Sequence, residues 1–251
     1  KMYCENAPYV TLHGMPVLSV NNYPQGRFHT EWREDVTLNR NDVYQNVLGP
    51  IIEEMNTVLA RVDAFDAAKA HALELTEQRN GVFVPPFDDP DVIVGQGTVA
   101  RELMQQLNEL DAVFIPVGGG GLLAGMAVYI KSLRPDIKVI GVEADESACL
   151  QAALKAGEPV ELDRVGSFAD GVAVKIIGSE TFRLAQKFCD EVVTVSGDEI
   201  CAAMQDIFVS TRAISEPSGA LATAGLKKWS QQSGLKGLHL AALFYLPIIS
   251  I

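Results

Sequence analysis

Basic residues are scarce in this sequence relative to acidic ones. The 251 residues include 20 Lys and Arg against 32 Asp and Glu, which gives a formal net charge of −12 at pH 7. A chain with this balance repels the phosphate backbone of nucleic acids and the headgroups of anionic membranes. We therefore expect no nucleic-acid partner and no membrane partner, although one local pocket for a phosphate group is compatible with the overall charge.

Cysteine pairs and long apolar runs are also missing. The four cysteines show no CxxC spacing and no metal-ligand spacing with the four histidines (Cys4, Cys149, Cys189, Cys201). This usage is typical of reduced, mostly structural thiols in a cytoplasmic protein. No apolar run reaches the roughly 20 residues of a membrane-spanning helix, and the first residues do not resemble a signal peptide. We expect a cytoplasmic protein without a membrane span.

Along most of the chain, the apolar residues form runs typical of strands that alternate with patterns typical of helices. They make up 48% of it, which is enough for a substantial core. From Ala64 onwards β-branched runs alternate with helical patterns, which predicts an α/β fold with an open, mostly parallel sheet flanked by helices. Residues 1–63 lack this regularity, so we divide the chain into an unassigned segment (1–63) and a large domain (64–251). The predicted strands are Val82–Val84, Val113–Val117, Lys138–Val142, Glu191–Val195 and Leu238–Tyr245, and the predicted helices include Phe65–Gln78, Gly95–Leu110 and Asp198–Arg212.

The predicted strand Val113–Val117 runs directly into four consecutive glycines, after which a helical pattern begins. Glycine costs conformational entropy on folding, so packing alone explains four of them poorly. Glycine also lets backbone N–H groups approach a ligand closely, and a helix N-terminus adds about half a positive charge. These features favour a phosphate site over a tight turn without a ligand. The candidate phosphate-binding residues, called the glycine loop below, are Gly118, Gly119, Gly120, Gly121 and Leu122.

Further motifs surround the glycine loop in a fixed order. They are Phe83–Pro90, Gly95–Thr98, Gly141–Ala144, Ser147–Leu150, Phe168–Val174, Glu180–Phe182, Ile200–Ala203 and Glu216–Ala220. Together with Val117–Leu122, they make the chain from about Ala64 to Trp229 resemble the catalytic domain of threonine dehydratase (threonine ammonia-lyase). That family consists of pyridoxal-phosphate enzymes of the tryptophan-synthase-β fold type.

This resemblance implies a cofactor, a reaction and partners. The cofactor is pyridoxal 5'-phosphate, whose phosphate group is held by the backbone N–H groups of the glycine loop. The family reaction converts L-threonine to 2-oxobutanoate and ammonia, a step of isoleucine biosynthesis. The resemblance therefore implies a small amino-acid substrate, and it makes a homo-oligomer an expected state.

The chain departs from the family in three functional segments. The family lysine that forms a Schiff base with the cofactor lies in a Ser-Phe-Lys-x-Arg-Gly-Ala segment, and no lysine here has that context. The Ser-Ala-Gly-Asn-His loop that grips the substrate is not found in residues 1–63. The serine that faces the pyridine nitrogen is expected near Leu243, where the chain continues with Phe244 and Tyr245. We therefore assign no catalytic residue and expect the activity to be lost or very low.

Two hypotheses follow from these departures. We expect the large domain to be truncated at its C-terminal end. When plausible codons for Phe244 to Ile251 are read one base out of register, the resulting amino-acid sequence is close to that of the family. Sequencing the encoding DNA would test this frame shift. The alternative function is a non-catalytic α/β remnant or interaction protein that keeps the phosphate-binding glycine loop.

A few residues near the glycine loop have predicted roles of their own. Glu143 ends a strand, and we favour a hydrogen-bonding or surface carboxylate over a role in the site. Some relatives bind a divalent cation downstream of the corresponding glutamate, but Cys149 stands where an acid would help, so we predict no metal. Ser196 is a predicted helix N-cap. For Ser218 two alternatives stay open, a helix cap and a residue that supports the site.

Overall fold

The computed structural model describes residues 65–245, with side chains from Ala70 onwards. The chain divides into two compact units, Lys1–Phe83 and Val84–Ile251. In the first unit the described part consists mainly of one helix, α1 (Phe65–Gln78), as predicted. The boundary that we placed at residues 63 and 64 stays a prediction.

The second unit alternates helices and strands. Its helices are α2 (Pro90–Gln106), α3 (Gly121–Leu133), α4 (Cys149–Ala156), α5 (Ser179–Phe188), α6 (Gly197–Thr211) and α7 (Pro217–Ser233). Its strands are β1 (Ala112–Pro116), β2 (Lys138–Ala144), β3 (Glu191–Val195) and β4 (Leu240–Ala242), and short 3-10 turns lie at Asp145–Ser147 and Asp170–Val172. No helix within residues 65–245 has the length and apolar character needed to cross a membrane.

The four strands form one parallel sheet in the order β3-β2-β1-β4. Ala112 at the start of β1 pairs with Lys138 of β2 on one side and with Leu240 of β4 on the other. Every residue of β1 is buried. A parallel strand that is covered on both faces has a continuous apolar sequence instead of an alternation of apolar and polar residues. The predicted open parallel α/β sheet is therefore confirmed.

Helices cover both faces of the sheet. On one face Val113 and Ile115 of β1 share a buried core with residues of α2 to α5. On the other face Phe114 packs with α6 and α7, and its ring meets the Trp229 ring edge-on with centroids 5.7 Å apart. Residues that alternate along one strand thus belong to two separate cores.

Three predicted elements differ from the observed ones, the first being Leu238–Tyr245, of which only the half-buried residues Leu240–Ala242 form a strand. Val82–Val84 forms no strand, and the side chains of Val82 and Val84 are mostly exposed. Helix α2 begins at Pro90 rather than Gly95, because the Asp89 carboxylate accepts hydrogen bonds from two N–H groups of its first turn and proline suits that turn.

Helices α2 and α3 pack against each other at glycine residues. A Cβ atom on Gly125 of α3 would lie 2.2 Å from the Ile93 carbonyl oxygen and 2.7 Å from the Gly97 nitrogen. The two helices therefore approach each other with backbone against backbone. The contact lies at Gly125 in the second turn of α3, beyond the residues of the glycine loop.

Candidate functional site

The glycine loop lies at the carboxyl end of β1, where open parallel sheets bind their ligands. Val117 still donates a backbone hydrogen bond to the Val142 carbonyl of β2 at 2.8 Å. The chain then leaves the sheet, and α3 begins at Gly121 with Gly120 as its N-cap residue. The predicted sequence of strand, glycine turn and helix is confirmed.

Close packing gives a physical reason for the glycines themselves. A Cβ atom on Gly119 would lie 2.2 Å from Cγ of the Phe87 ring, and one on Gly121 would lie 3.0 Å from the Phe87 carbonyl oxygen. Gly120 has φ +90°, a conformation that favours glycine, and its Cβ position lies 3.0 Å from the Thr181 side chain. Our expectation that packing explains the glycines poorly is therefore wrong, and the case for a ligand depends on a separate observation.

That observation is the direction of the peptide groups in the loop. Three consecutive carbonyls accept hydrogen bonds from the protein: Gly118 O from Cys149 Sγ at 3.4 Å, Gly119 O from Thr181 Oγ1 at 2.7 Å, and Gly120 O from Ala124 N at 2.8 Å. In a planar trans peptide the following N–H points away from the carbonyl. The N–H groups of Gly119, Gly120 and Gly121 are thus directed away from the groups that hold these carbonyls.

These N–H groups have no partner within residues 65–245, because the backbone and side-chain hydrogen bonds found there do not include the N–H groups of residues 118–122. The first turn of α3 contains no acidic residue, and its N-cap residue makes no side-chain capping hydrogen bond, so these two local sources of compensation for the positive helix end are missing. Adjacent N–H groups at a helix N-terminus are the donors that phosphate prefers. The loop therefore fits the phosphate group of pyridoxal phosphate.

Three neighbours of the loop were missed as site residues when the sequence was read. Phe87 packs against the loop from one side, while Thr181 and Cys149 hold its carbonyls. All three lie in segments that carried the family resemblance, but nothing in the spacing of those segments assigns them a role. Only the folded chain brings them to the loop.

Glu143 is fully buried at the end of β2. Its Oε1 accepts a hydrogen bond from Leu150 N at 2.7 Å and its Oε2 accepts one from Gln151 N at 2.8 Å, so it caps the start of α4. Burial raises the pKa of Glu143 to about 7, against the lowering effect of the two N–H groups. The predicted role as a hydrogen-bonding carboxylate is confirmed.

Cys149 begins α4 and is also buried. Burial, together with the nearby Glu143 carboxylate, raises the pKa of the Cys149 thiol to about 12. The thiol therefore stays protonated at neutral pH and donates its hydrogen to the Gly118 carbonyl. No group of three or more His, Cys, Asp or Glu side chains suited to a metal ion occurs in residues 65–245.

The two serines with predicted capping roles behave differently. Ser196 caps α6 as predicted, and it forms a reciprocal capping box with Glu199. Ser218 caps no helix, because its hydroxyl accepts a hydrogen bond from Gly171 N at 2.9 Å. That bond holds a segment that passes the loop, since a Cβ atom on Gly118 would lie 3.1 Å from Val172 Cα. The helix-cap alternative for Ser218 is therefore wrong, and its role in supporting the site stays a prediction.

Two lysines on helices form ion pairs with neighbouring parts of the chain. Lys131 of α3 forms an ion pair with Asp190 at 2.6 Å and donates a hydrogen bond to the Ile137 carbonyl. Lys228 of α7 pairs with Glu199 at 3.0 Å. Each ion pair therefore joins the lysine's helix to a different part of the chain.

The described geometry has counterparts in known proteins. The family described as pyridoxal-phosphate dependent enzyme matches residues 50–244. The L-threonine dehydratase biosynthetic IlvA of Pasteurella multocida is 57% identical over 201 residues, which are 74% of this chain and 39% of that protein. The protein of the same name from Escherichia coli K12 is 62% identical over 177 residues, 70% of this chain and 34% of that protein. The chain thus spans less than half the length of either relative.

Solved structures give the same picture of the fold. The processed form of threonine deaminase isoform 2 from Solanum lycopersicum superposes with a TM-score of 0.73 at 43% identity, covering 74% of this chain and 55% of that chain. Serine racemase from Dictyostelium discoideum superposes with a TM-score of 0.66 at 33% identity, covering 75% of this chain and 60% of that chain. The fold class predicted from the sequence is confirmed by these similarities.

Proposed function

Because the chain belongs to the pyridoxal-phosphate dependent enzyme family, we propose that the glycine loop of this threonine dehydratase-like protein binds the phosphate group of pyridoxal phosphate. The observation that carries the proposal is the row of backbone N–H groups at the start of α3, which lack partners within residues 65–245. Gly119, Gly120 and Gly121 would donate to the phosphate oxygens. Leu122 and Gly118 would contribute the N–H groups on either side.

The surrounding residues would keep this loop in a binding geometry. Thr181 and Cys149 hold two of its carbonyls, while Phe87 closes the side of the loop next to Gly119. Pyridoxal phosphate, when bound, supplies an electron sink for chemistry at the α-carbon of an amino acid. The protein's own contribution at this loop is to bind and orient the phosphate end of the cofactor.

We propose L-threonine as the substrate and a product pair of 2-oxobutanoate and ammonia, in line with the names of the relatives. For the 251-residue chain itself we propose a very low turnover. The reason is that no lysine stands in the family's Ser-Phe-Lys context, and Phe244 occupies the region expected for the ring-facing serine. A cytoplasmic location and a homo-oligomer complete the proposal.

The alternative is a non-catalytic protein that keeps the loop as a phosphate-binding module. The observation that favours it is that the loop and its supports form a complete set of contacts, although the lysine segment is not recognisable. In both cases the chain binds pyridoxal phosphate. The two cases differ in whether L-threonine is converted at all.

Two assays on the purified 251-residue chain test the proposal. The first compares the Kd of pyridoxal 5'-phosphate with that of pyridoxal, which has no phosphate group, by equilibrium dialysis. We expect the phosphate-bearing compound to bind at least about 10-fold more tightly, because charge-assisted N–H donors recognise it. Equal affinities, or no binding of either compound, would overturn the proposed phosphate site.

The second assay measures 2-oxobutanoate after adding L-threonine and cofactor, and then treats the mixture with borohydride. A slow but measurable release of product supports the impaired enzyme, and complete absence of product supports the non-catalytic alternative. Turnover at the rate of an ordinary enzyme, on the order of 10 per second, would contradict both. So would borohydride fixation of one cofactor per chain on a single lysine.

A further inference from the structure

We propose that Thr181 is a positioning residue of the glycine loop and that Asp88 holds Thr181 in place. This inference rests on the phosphate-binding function proposed above and assigns roles to two residues outside the loop. Thr181 lies in the first turn of α5, and Asp88 precedes α2 in the chain. Neither residue would touch the phosphate itself, since both contact backbone groups of the protein.

The Thr181 hydroxyl bonds to the loop from a fully buried position. Its Oγ1 lies 2.7 Å from Gly119 O and 3.1 Å from Gly178 O. A hydroxyl has a single proton to donate, so the shorter contact is the principal hydrogen bond. Gly178 N adds a longer bond of 3.5 Å to the same Gly119 carbonyl. The start of α5 thus holds the Gly119 carbonyl oxygen from two sides.

Holding this carbonyl sets the direction of the next N–H group. The Gly119 carbonyl and the Gly120 N–H belong to one planar trans peptide and point in opposite directions. Glycine on both sides of this peptide leaves its rotation weakly restricted by local sterics. The hydroxyl of Thr181 therefore determines that the Gly120 N–H faces the proposed phosphate site and not the interior of the protein.

Asp88 fixes the position of Thr181 through the backbone of α5. Its Oδ1 accepts hydrogen bonds from Glu180 N at 2.9 Å and Thr181 N at 3.1 Å, and its Oδ2 accepts one from Ser179 N at 2.9 Å. A carboxylate that caps three N–H groups also complements the positive end of the helix. Asp88 therefore supplies the cap for α5 from a position 91 to 93 residues earlier in the chain.

The residue at the N-cap position of α5 leaves room for this carboxylate. Gly178 has no side chain, and a Cβ atom there would lie 2.3 Å from Asp88 Cγ. The neighbour of Asp88 in the chain is Phe87, whose ring lies against Gly119. Phe87 thus contacts the loop directly. Its neighbour Asp88 acts on the loop indirectly, because it holds the start of α5 and thereby Thr181.

The main test removes the Thr181 hydroxyl while keeping the shape of the side chain. In the 251-residue chain T181V should weaken the Kd of inorganic phosphate and of pyridoxal 5'-phosphate about 5-fold, the effect of one lost hydrogen bond. T181S keeps the hydroxyl and should bind both within about 2-fold of the wild type, since the hydrogen bond is retained. The matched control is T211V, because Thr211 Oγ1 donates to the Ile207 carbonyl at 2.7 Å at the end of α6. T211V should leave both affinities unchanged.

A second pair of variants covers the case in which T181V does not fold. D88N removes one carboxylate acceptor and the charge at α5, and it should weaken phosphate binding about 3-fold through the loosened cap. The control is D89N, because the adjacent Asp89 caps α2 with the same chemistry. D89N is expected to lower thermal stability to a similar extent while leaving phosphate affinity unchanged.

The outcomes separate this inference from the proposed function. If the wild-type chain binds neither compound, the phosphate-binding function fails and the inference fails with it. If the wild type binds and T181V binds equally well, only the role of Thr181 is overturned. Equal weakening by T181S and T181V also overturns it, because the hydroxyl would then be irrelevant. Equal effects of D88N and D89N on phosphate affinity overturn the role of Asp88.

Discussion

The Thr181 hydroxyl lies 2.7 Å from the carbonyl oxygen of Gly119, although 62 residues separate the two in sequence. This contact joins the start of α5 to the turn between β1 and α3. It shows how a loop of glycines, which is flexible by composition, acquires one defined conformation. The rigidity of the loop comes from neighbours that hold its carbonyls and pack against its Cα atoms.

The contact between Gly119 and Phe87 leads to a prediction about stability. G119A should lower the free energy of unfolding by about 1–3 kcal/mol, because the new methyl group overlaps the Phe87 ring. It should also abolish the thermal protection that we expect inorganic phosphate to give through the proposed site. Urea denaturation and melting curves with and without phosphate measure the two effects.

A double variant and a control make this prediction specific. F87A/G119A should be less destabilised than the sum of the two single variants, because the overlap exists only when both side chains are present. G95A is the control, since a Cβ atom on Gly95 of α2 meets no atom within 4 Å. G95A should gain up to about 1 kcal/mol. A G119A chain as stable as the wild type would contradict the packing described for the loop.

Glu143 gives the folding stability a predictable dependence on pH. The pKa of Glu143 is raised from 4.5 to about 7 in the folded chain, so between these pH values the folded state keeps a proton that the unfolded state releases. Its contribution to stability is therefore fully present below pH 4.5 and is lost as the pH rises to about 7. The loss is on the order of 3 kcal/mol.

The measurement compares the wild type with E143Q by urea denaturation across this range. As the pH rises, the free energy of unfolding of the wild type should fall relative to that of E143Q, because glutamine does not titrate. E158Q, a substitution at an exposed glutamate, is the control for the removal of one negative charge. Parallel curves for E143Q and the wild type would show that Glu143 titrates normally.

The cysteines are predicted to differ in reactivity. Alkylation requires the thiolate, and the pKa of Cys149 is raised to about 12 by burial, so Cys149 should resist iodoacetamide in the folded chain. Cys201 lies exposed on α6 and should be modified faster than Cys149. Peptide mass spectrometry after timed labelling reports both rates. Labelling of Cys149 as fast as Cys201 without denaturant would mean that α4 opens readily and leaves the Gly118 carbonyl unheld.

The sequence predicted the parts of this site that depend on local order. A buried strand followed by glycines and a helical pattern identifies the loop, because strand, turn and helix each have a local signature. The Ser196 cap is local for the same reason. The motifs around the loop also indicated the family correctly, since their order along the chain is specific.

The contacts that hold the loop have no such signature. Asp88 reaches α5 across more than 90 residues, and Thr181 looks in the sequence like an ordinary residue of a first helical turn. Helix α2 was placed five residues late, at Gly95 instead of Pro90, and its contact with α3, where a Cβ atom on Gly97 would lie 3.1 Å from the Gly125 carbonyl oxygen, is not visible in the sequence. Such features depend on which elements meet in the folded chain.

The most direct test of phosphate binding by the glycine loop is an NMR titration of the 251-residue chain labelled with 15N-glycine. On addition of pyridoxal 5'-phosphate, the amide resonances of Gly119, Gly120 and Gly121 should move together and saturate, while Gly95 and Gly157 should stay in place. Pyridoxal without the phosphate should leave the loop resonances unchanged. Saturable binding of pyridoxal 5'-phosphate that leaves the three loop amides unmoved would contradict the central claim.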